Sequence, residues 1–310
     1  AIALDMNEVN KIEIIRGPKS LLYGPNAIGG VINAKLLGNP KLRVDKLYHK
    51  YLIATESFNK SIYGNMMYYI PINIPINNIL LNFQLNLFYS NKITENEITP
   101  IGELNNTKSI TTNYKIGGTY YLNNNYINAI YENLNMEYGI PPTSIGHING
   151  VDILMLRTSK QYNFHQNISF FNFNKIDLKY NSIDYKHVEL VNIDTINYNI
   201  NEVIDSILYH VFFSKKTENI KLELSSTNAI IGSEYTTKLF RPQGYYLTPT
   251  TKESQISIYG FNKLKLENFD IDVLKSFRYS YLLINPQEYN FSDRNANLIL
   301  KDEDGNEIKD

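Results

Sequence analysis

The chain has 310 residues, a formal net charge of -1, no cysteine and no tryptophan. Near neutrality without a basic stripe excludes a nucleic-acid surface, and the missing thiols exclude a disulfide framework and thiolate metal sites. No apolar run reaches the roughly 18–20 residues of a transmembrane helix. No charged-apolar-small leader precedes the first strand signal, and the chain, which opens on Ala1, is expected to be processed or truncated at its start.

The first patterned stretch runs from Ile12 to Leu36. Ile12-Glu13-Ile14-Ile15 reads as a strand. Gly17-Pro18 ends it, because proline removes a donor and fixes the backbone. Gly24-Pro25-Asn26 reads as a turn, and Gly29-Gly30 as a place of close backbone approach before a second apolar run, Val31-Ile32-Asn33. The spacing of Gly24 and Gly29 imitates a phosphate loop, but Gly30 and Val31 stand where that loop needs Lys and then Ser or Thr.

Beyond Gly38 the dominant signal has a period of two. Leu81-Asn82-Phe83-Gln84-Leu85-Asn86-Leu87 alternates apolar residues with amides, and Tyr114 to Tyr120, Ile176 to Tyr180, Ile220 to Ser225 and Phe269 to Val273 alternate in the same way. Successive strand side chains point to opposite faces, so each segment is predicted to be a strand with one apolar and one polar face. Asn123-Asn124-Asn125, Pro141-Pro142, Asn149-Gly150 and Lys215 to Asn219 read as turns, with longer links over Asn91 to Thr107 and Gly232 to Thr251. Alternately short and long links between antiparallel strands fit an outer-membrane barrel; a soluble β-sandwich also alternates. Tyr89, Tyr120, Tyr121, Tyr126 and Tyr185, near segment ends, are expected to form aromatic girdles in place of Trp.

The opening stretch resembles the end of the plug domain of TonB-dependent outer-membrane receptors. The resemblance is carried by Arg16, Gly17, Pro18, Tyr23, Gly24, Ala27, Gly29, Gly30 and Asn33. It implies an all-β fold: part of a 22-stranded antiparallel transmembrane β-barrel, with its lumen filled by the plug. Residues 1-37 are then the C-terminal part of the plug and residues 38-310 an incomplete N-terminal portion of the barrel, roughly ten to twelve strands at about 10 residues per strand. Arg16 is expected to hold the plug to polar lumen groups by charge-assisted hydrogen bonds. The resemblance further implies the cell outer membrane of a Gram-negative bacterium, contact with its lipid, and the TonB energy-transducing complex as partner. The TonB box, which opens the plug in this family, is absent from this chain.

A narrower resemblance, to the zinc-uptake branch, rests on Leu104-Asn105-Asn106-Thr107, Ile116 to Tyr120, Tyr138-Gly139-Ile140-Pro141, Asp184 to Glu189, Ile231-Gly232-Ser233, Phe240 and Gly244. It implies import of a scarce metal or metal complex, zinc ahead of an iron-siderophore. The departures are substantial. The branch's Asp-His pair falls just before Ala1, its His-rich loop is reduced here to His147, and its acidic pair after Gly244 appears as Tyr245-Tyr246. Zinc sites typically need four ligands, and His49, His147, His165, His187 and His210 form no His-Glu-x-x-His pattern, so no metal ligand is assigned. No nucleophile elbow or Cys-His pair supports an enzyme, and no cofactor is implied. Asp302, Asp304 and Gly305 imitate a calcium loop that lacks its first ligand, at Leu300. Two alternatives to an importer stand beside it: a degenerate, non-transporting remnant or passive barrel, and a secreted β-rich binding domain.

Overall fold

A computed structural model of the chain describes residues 9–27, 29–36, 43–76, 79–143, 150–190, 211–244, 249–266 and 270–286. The first elements form a hairpin. Strands β1 (Val9–Ile15) and β2 (Val31–Leu36) pair antiparallel, with Glu13 opposite Asn33 and Ile15 opposite Val31. Between them a 3-10 turn spans Pro18–Tyr23, where proline in the first turn forfeits only an amide that would have no intrahelical acceptor. Ile12, Ile14 and Ile32 lie exposed on the hairpin.

The remainder is a single antiparallel meander. Strands β3 (Tyr48–Glu56), β4 (Ser61–Ile76), β5 (Ile79–Thr94), β8 (Ser109–Leu122), β9 (Asn125–Ile140), β10 (Val151–Phe170), β11 (Phe173–Leu190), β12 (Val211–Ser225), β13 (Ala229–Gly244), β14 (Thr251–Leu266) and β15 (Ile271–Pro286) form one 11-stranded sheet. Each of these strands pairs with its nearest neighbours along the chain, while β6 (Glu97–Thr99) and β7 (Gly102–Leu104) make a small hairpin inside the β5–β8 link. The strand ends Ile76 and Ile79, Leu122 and Asn125, Phe170 and Phe173, Ser225 and Ala229, and Leu266 and Ile271 lie at one end of the sheet, and Glu56 and Ser61, Thr94 and Ser109, Ile140 and Val151, Leu190 and Val211, and Gly244 and Thr251 at the other. Neighbouring links at this second end are joined: Glu95 donates to the Asn59 carbonyl at 2.9 Å and Ile98 to that of Phe58 at 2.9 Å. Among the described residues β3 and β15 are the two edges.

The polarity of the sheet is inverted relative to a water-soluble protein. On β8 the buried side chains include Asn113, Lys115 and Thr119, while Tyr114, Ile116 and Leu122 are exposed. On β5, Gln84, Asn86 and Ser90 are buried and Phe83, Tyr89 and Ile93 exposed. Cross-strand partners keep to the same face: Gln84 lies opposite Thr119, Lys115 opposite Glu132, and Asn163 opposite both Asn128 and Lys179. Ile220, Leu222, Tyr235, Ile256, Ile258, Phe277 and Tyr279 extend the exposed apolar face to β15. A sandwich would hide this face against a second sheet; among the described residues no such sheet covers it.

Several local expectations need correction. Lys215 to Asn219 is not a turn but the middle of β12. Its charges are accommodated in a ladder, with Lys216 pairing Glu218 along one face at 3.0 Å. The stretch Gly232 to Thr251 is mostly strand, because β13 runs to Gly244; inward Glu234 and Lys238 find partners in Arg278 and Glu253. The Asn91–Thr107 link begins later, since β5 continues to Thr94. Of the five girdle tyrosines, Tyr89 is exposed, and Tyr120 meets the exposed Phe83 with ring centroids 5.0 Å apart. Tyr121 and Tyr126 are instead buried, and Tyr185 faces inward opposite Arg157, beside His187.

Candidate functional site

The hairpin sits against the concave face of the sheet, which curves around it. The 3-10 turn packs on β14 and β15, burying Ser20 and Leu22. The contact centres on Arg278, whose side chain is only 3% exposed. Its Nη2 donates to Glu234 at 2.6 Å, its Nη1 to the Leu21 carbonyl at 3.4 Å and its Nε to Ser280 at 3.3 Å. The guanidinium also lies 5.0 Å from the centre of the Tyr259 ring, and Lys221 approaches the same ring at 5.1 Å. Tyr259 occupies space left by Gly232 directly opposite; any Cβ there would collide with the ring. One wall arginine thus joins the hairpin backbone, a carboxylate and an aromatic face, an arrangement in which its planar fork is favoured over Lys.

Within the hairpin the organising group is Glu13. It pairs with Lys11 at 3.0 Å and Lys35 at 2.7 Å and accepts from Asn33 at 3.2 Å. The two lysines, Lys35 first, hold its carboxyl down at about 2. Burial chiefly pushes the Tyr23 hydroxyl up, with the negative charge of Glu13 adding to it.

The residues singled out from the sequence are therefore brought together unevenly. Gly17 has φ 73 and caps the 3-10 turn that Pro18 opens and Tyr23 closes. Gly24 and Ala27 lie in the following turn, where Ala27 donates to the Gly24 carbonyl at 3.4 Å and Gly30 to that of Ala27 at 3.2 Å. Gly30 has φ 123, and a Cβ on it would meet the Ile15 carbonyl oxygen at 3.0 Å, so the close approach expected of the glycine pair is made there. Gly29 has open space around it, so it is not packed as expected. Asn33 reaches Glu13, as above. Arg16 is exposed, whereas Arg278 of the wall donates a hydrogen bond to the hairpin backbone.

A cavity of about 590 Å³ separates the hairpin from the wall. The hairpin contributes Lys19, Leu22, Tyr23, Asn33 and Lys35, and the wall contributes residues of β8 to β13, among them Glu132, Gln161 and Asn163. The wall side is a hydrogen-bonded lattice. Arg157 and Ser159 bond Glu132 at 2.5 and 3.1 Å, and Asn163 bonds Asn128, which donates to Thr119, each at 2.8 Å. His165 pairs with Asp177 at 2.8 Å and stacks on Tyr126 with ring centroids 5.0 Å apart. Nearer the long links, His187 has Nδ1 3.2 Å from the Tyr185 hydroxyl and Nε2 3.2 Å from Glu189. His49 packs beside Tyr51 and Tyr68, while His147, His210, Tyr245, Tyr246 and the Asp302–Gly305 stretch lie outside the described residues. Among the described residues no group of three or more His, Cys, Asp or Glu side chains could hold a metal ion.

Sequence reasoning missed Glu13, Glu234, Tyr259 and Arg278. The lysines of the cavity did carry a signal: Lys115, Lys179 and Lys221 occupy the polar phase of segments already read as alternating.

A curved antiparallel wall, polar inside and apolar outside, with a small hairpin seated against its inner face, fits the class of plugged β-barrels. The family comparison falls on that hairpin: residues 2–31 match the TonB-dependent Receptor Plug Domain. The match supports a TonB-dependent receptor and, at the level of the family, receptor-type transport. A search of curated proteins found no match for the chain.

Proposed function

We propose that the chain is part of an active outer-membrane importer of the TonB-dependent type, with residues 1-37 as the end of its plug and residues 38-310 as a portion of its barrel. One observation carries the reading: the segment bearing the plug signature sits on the polar concave face of a sheet whose opposite face is apolar. Hydrocarbon accepts such a face, and pairing on both sides satisfies the backbone of the interior strands there. The Arg16 to Asn33 motif then serves to fold and seat the plug, and displacement of that plug by TonB opens the path for solute. The cargo is a scarce metal or metal complex, with zinc placed ahead of an iron-siderophore on the motifs from Leu104 to Gly244.

The test is deletion of the gene followed by metal accumulation under scarcity, with the protein's place in the envelope followed by membrane fractionation. Lower zinc accumulation, restored by the gene only when TonB is present, is the expected result. Unchanged zinc uptake sinks the substrate, and recovery as a water-soluble secreted protein sinks the importer.

A further inference from the structure

We infer that the outward face of β13 to β15 carries a binding site for an anionic phospholipid, in the leaflet at the end of the sheet where Leu266 and Ile271 lie. The inference rests on reading that face as lipid-facing, and it goes on to name one lipid class and where it is held. Ile231, Gly260 and Phe277 form one row across the three strands, and Asn262 lies opposite Lys275 in the next row toward that end. Alternation along the strands sets these five residues on the same side as the exposed Ile256, Ile258 and Tyr279. Between the two rows is a cavity of about 240 Å³ that all five line.

The shape of the cavity comes from its glycine. Gly260 projects no side chain between Ile231 and Phe277, and the Phe277 ring leans over it so closely that a Cβ there would collide with the ring. The floor is therefore bare backbone between two exposed apolar side chains. Its volume is below the ~300–1,000 Å³ of ordinary small-molecule sites, which suits one stretch of an acyl chain whose remainder lies along the open sheet. The rim supplies the charge. On the inner face Lys263 pairs with Asp272 at 2.6 Å and Lys265 with Asp270 at 3.7 Å. The side chains of Lys275 and Asn262 have no ion pair or hydrogen bond among the described residues. Leu264 and Val273 follow them on the outward face, so the ammonium is framed by apolar side chains. A lysine so placed on a hydrocarbon-facing wall is costly unless its head reaches the interface and a counter-charge. A phospholipid phosphate supplies that charge, and the Asn262 amide donates a second bond to it. Among the described residues the outward positions of β13 to β15 hold no carboxylate. A choline headgroup thus finds no partner for its ammonium, and a net anionic lipid is preferred.

The chain has no tryptophan, so Tyr279→Trp, one row from Phe277 on the same face, places a single fluorescent reporter beside the cavity. The full chain carrying it is folded into phosphatidylcholine liposomes. Quenching is then measured as brominated phosphatidylglycerol or brominated phosphatidylcholine replaces the unlabelled lipid. The brominated phosphatidylglycerol is expected to occupy the reporter's neighbourhood about fivefold more readily, and the preference to shrink as sodium chloride is raised. Lys275→Gln is expected to abolish the preference, Lys275→Arg to keep it and Asn262→Leu to reduce it. Lys265→Gln, on the inner face, is expected to leave it unchanged. Equal quenching by the two lipids, or a preference that survives Lys275→Gln, overturns the inference. Failure of the underlying reading looks different: a reporter that neither brominated lipid quenches does not stand on a lipid-facing wall, whereas one quenched equally by both loses only the anionic site.

Discussion

The plug hairpin and the wall are both antiparallel β-structure, yet they are held by different means. The wall is regular: every interior strand is bonded along both edges, many inward positions pair polar residues across the ladder, and much of the outward face is apolar. The hairpin has two strands, which alone are marginal in water, and it depends on a few irregular features. These are the Glu13 cluster, the left-handed backbone at Gly17 and Gly30, and the docking of its 3-10 turn onto Arg278. The wall is therefore expected to tolerate most single changes on its inner face and to resist charge on its outer one, whereas the hairpin is expected to fail at a handful of named positions.

The sharpest way to break this contrast is to put a charge on each face of the wall. Ile116→Lys on the outer face is expected to cost about 2–4 kcal/mol in a bilayer, read as lost heat-modifiable folded protein in liposomes. Gln161→Lys on the inner face is expected to fold at the parental yield, and equal losses for both would remove the distinction between faces. Next in size is Arg278→Ala. It strips the buried ion pair from Glu234 and the bond to the Leu21 carbonyl, a loss of about 3 kcal/mol, measured as a lowered denaturant midpoint with faster proteolysis near Lys19. Unchanged cleavage of the hairpin would show that the wall does not seat it through this residue.

Within the hairpin, the two adjacent glycines are predicted to differ. Gly30→Ala is expected to cost about 1–3 kcal/mol because it combines left-handed backbone with a close carbonyl, and Gly29→Ala less than about 0.5 kcal/mol, as at an unconstrained surface site. Amide exchange across β1 and β2 would rank them. The smallest effect is the pH response of Glu13. Its folded-state pKa lies below the ordinary carboxylate value, so its contribution is complete above that value and is lost as the pH falls through about 2. Protonation followed by NMR, together with loss of the response in Glu13→Gln, checks the assignment; a midpoint at the ordinary value would mean that Lys11 and Lys35 do not engage it.

Much of the wall could be read from residue order alone. Alternation in Leu81 to Leu87 and Tyr114 to Tyr120 is a local property, because a strand exposes successive side chains to opposite faces whatever lies beyond. The pattern therefore assigned Gln84, Asn86, Lys115 and Thr119 to one side before any fold was known. The Gly17-Pro18 break, the turn after Gly24 and the closeness at Gly30 were legible for the same reason, since backbone geometry at glycine and proline is set within a few residues. The limits are equally physical. Lys215 to Asn219 resembles a turn in isolation, and only pairing on both sides within the sheet makes it strand. Alternation cannot say which face is inside, so Tyr121, Tyr126 and Tyr185 were misread as girdle residues until the curvature of the sheet oriented them. Arg278 reaches the Leu21 carbonyl across 257 residues of chain. That meeting, and the gathering of lysines from the plug and from separate strands into one cavity, exist only once the sheet has wrapped around the hairpin, because no local rule relates residues so far apart.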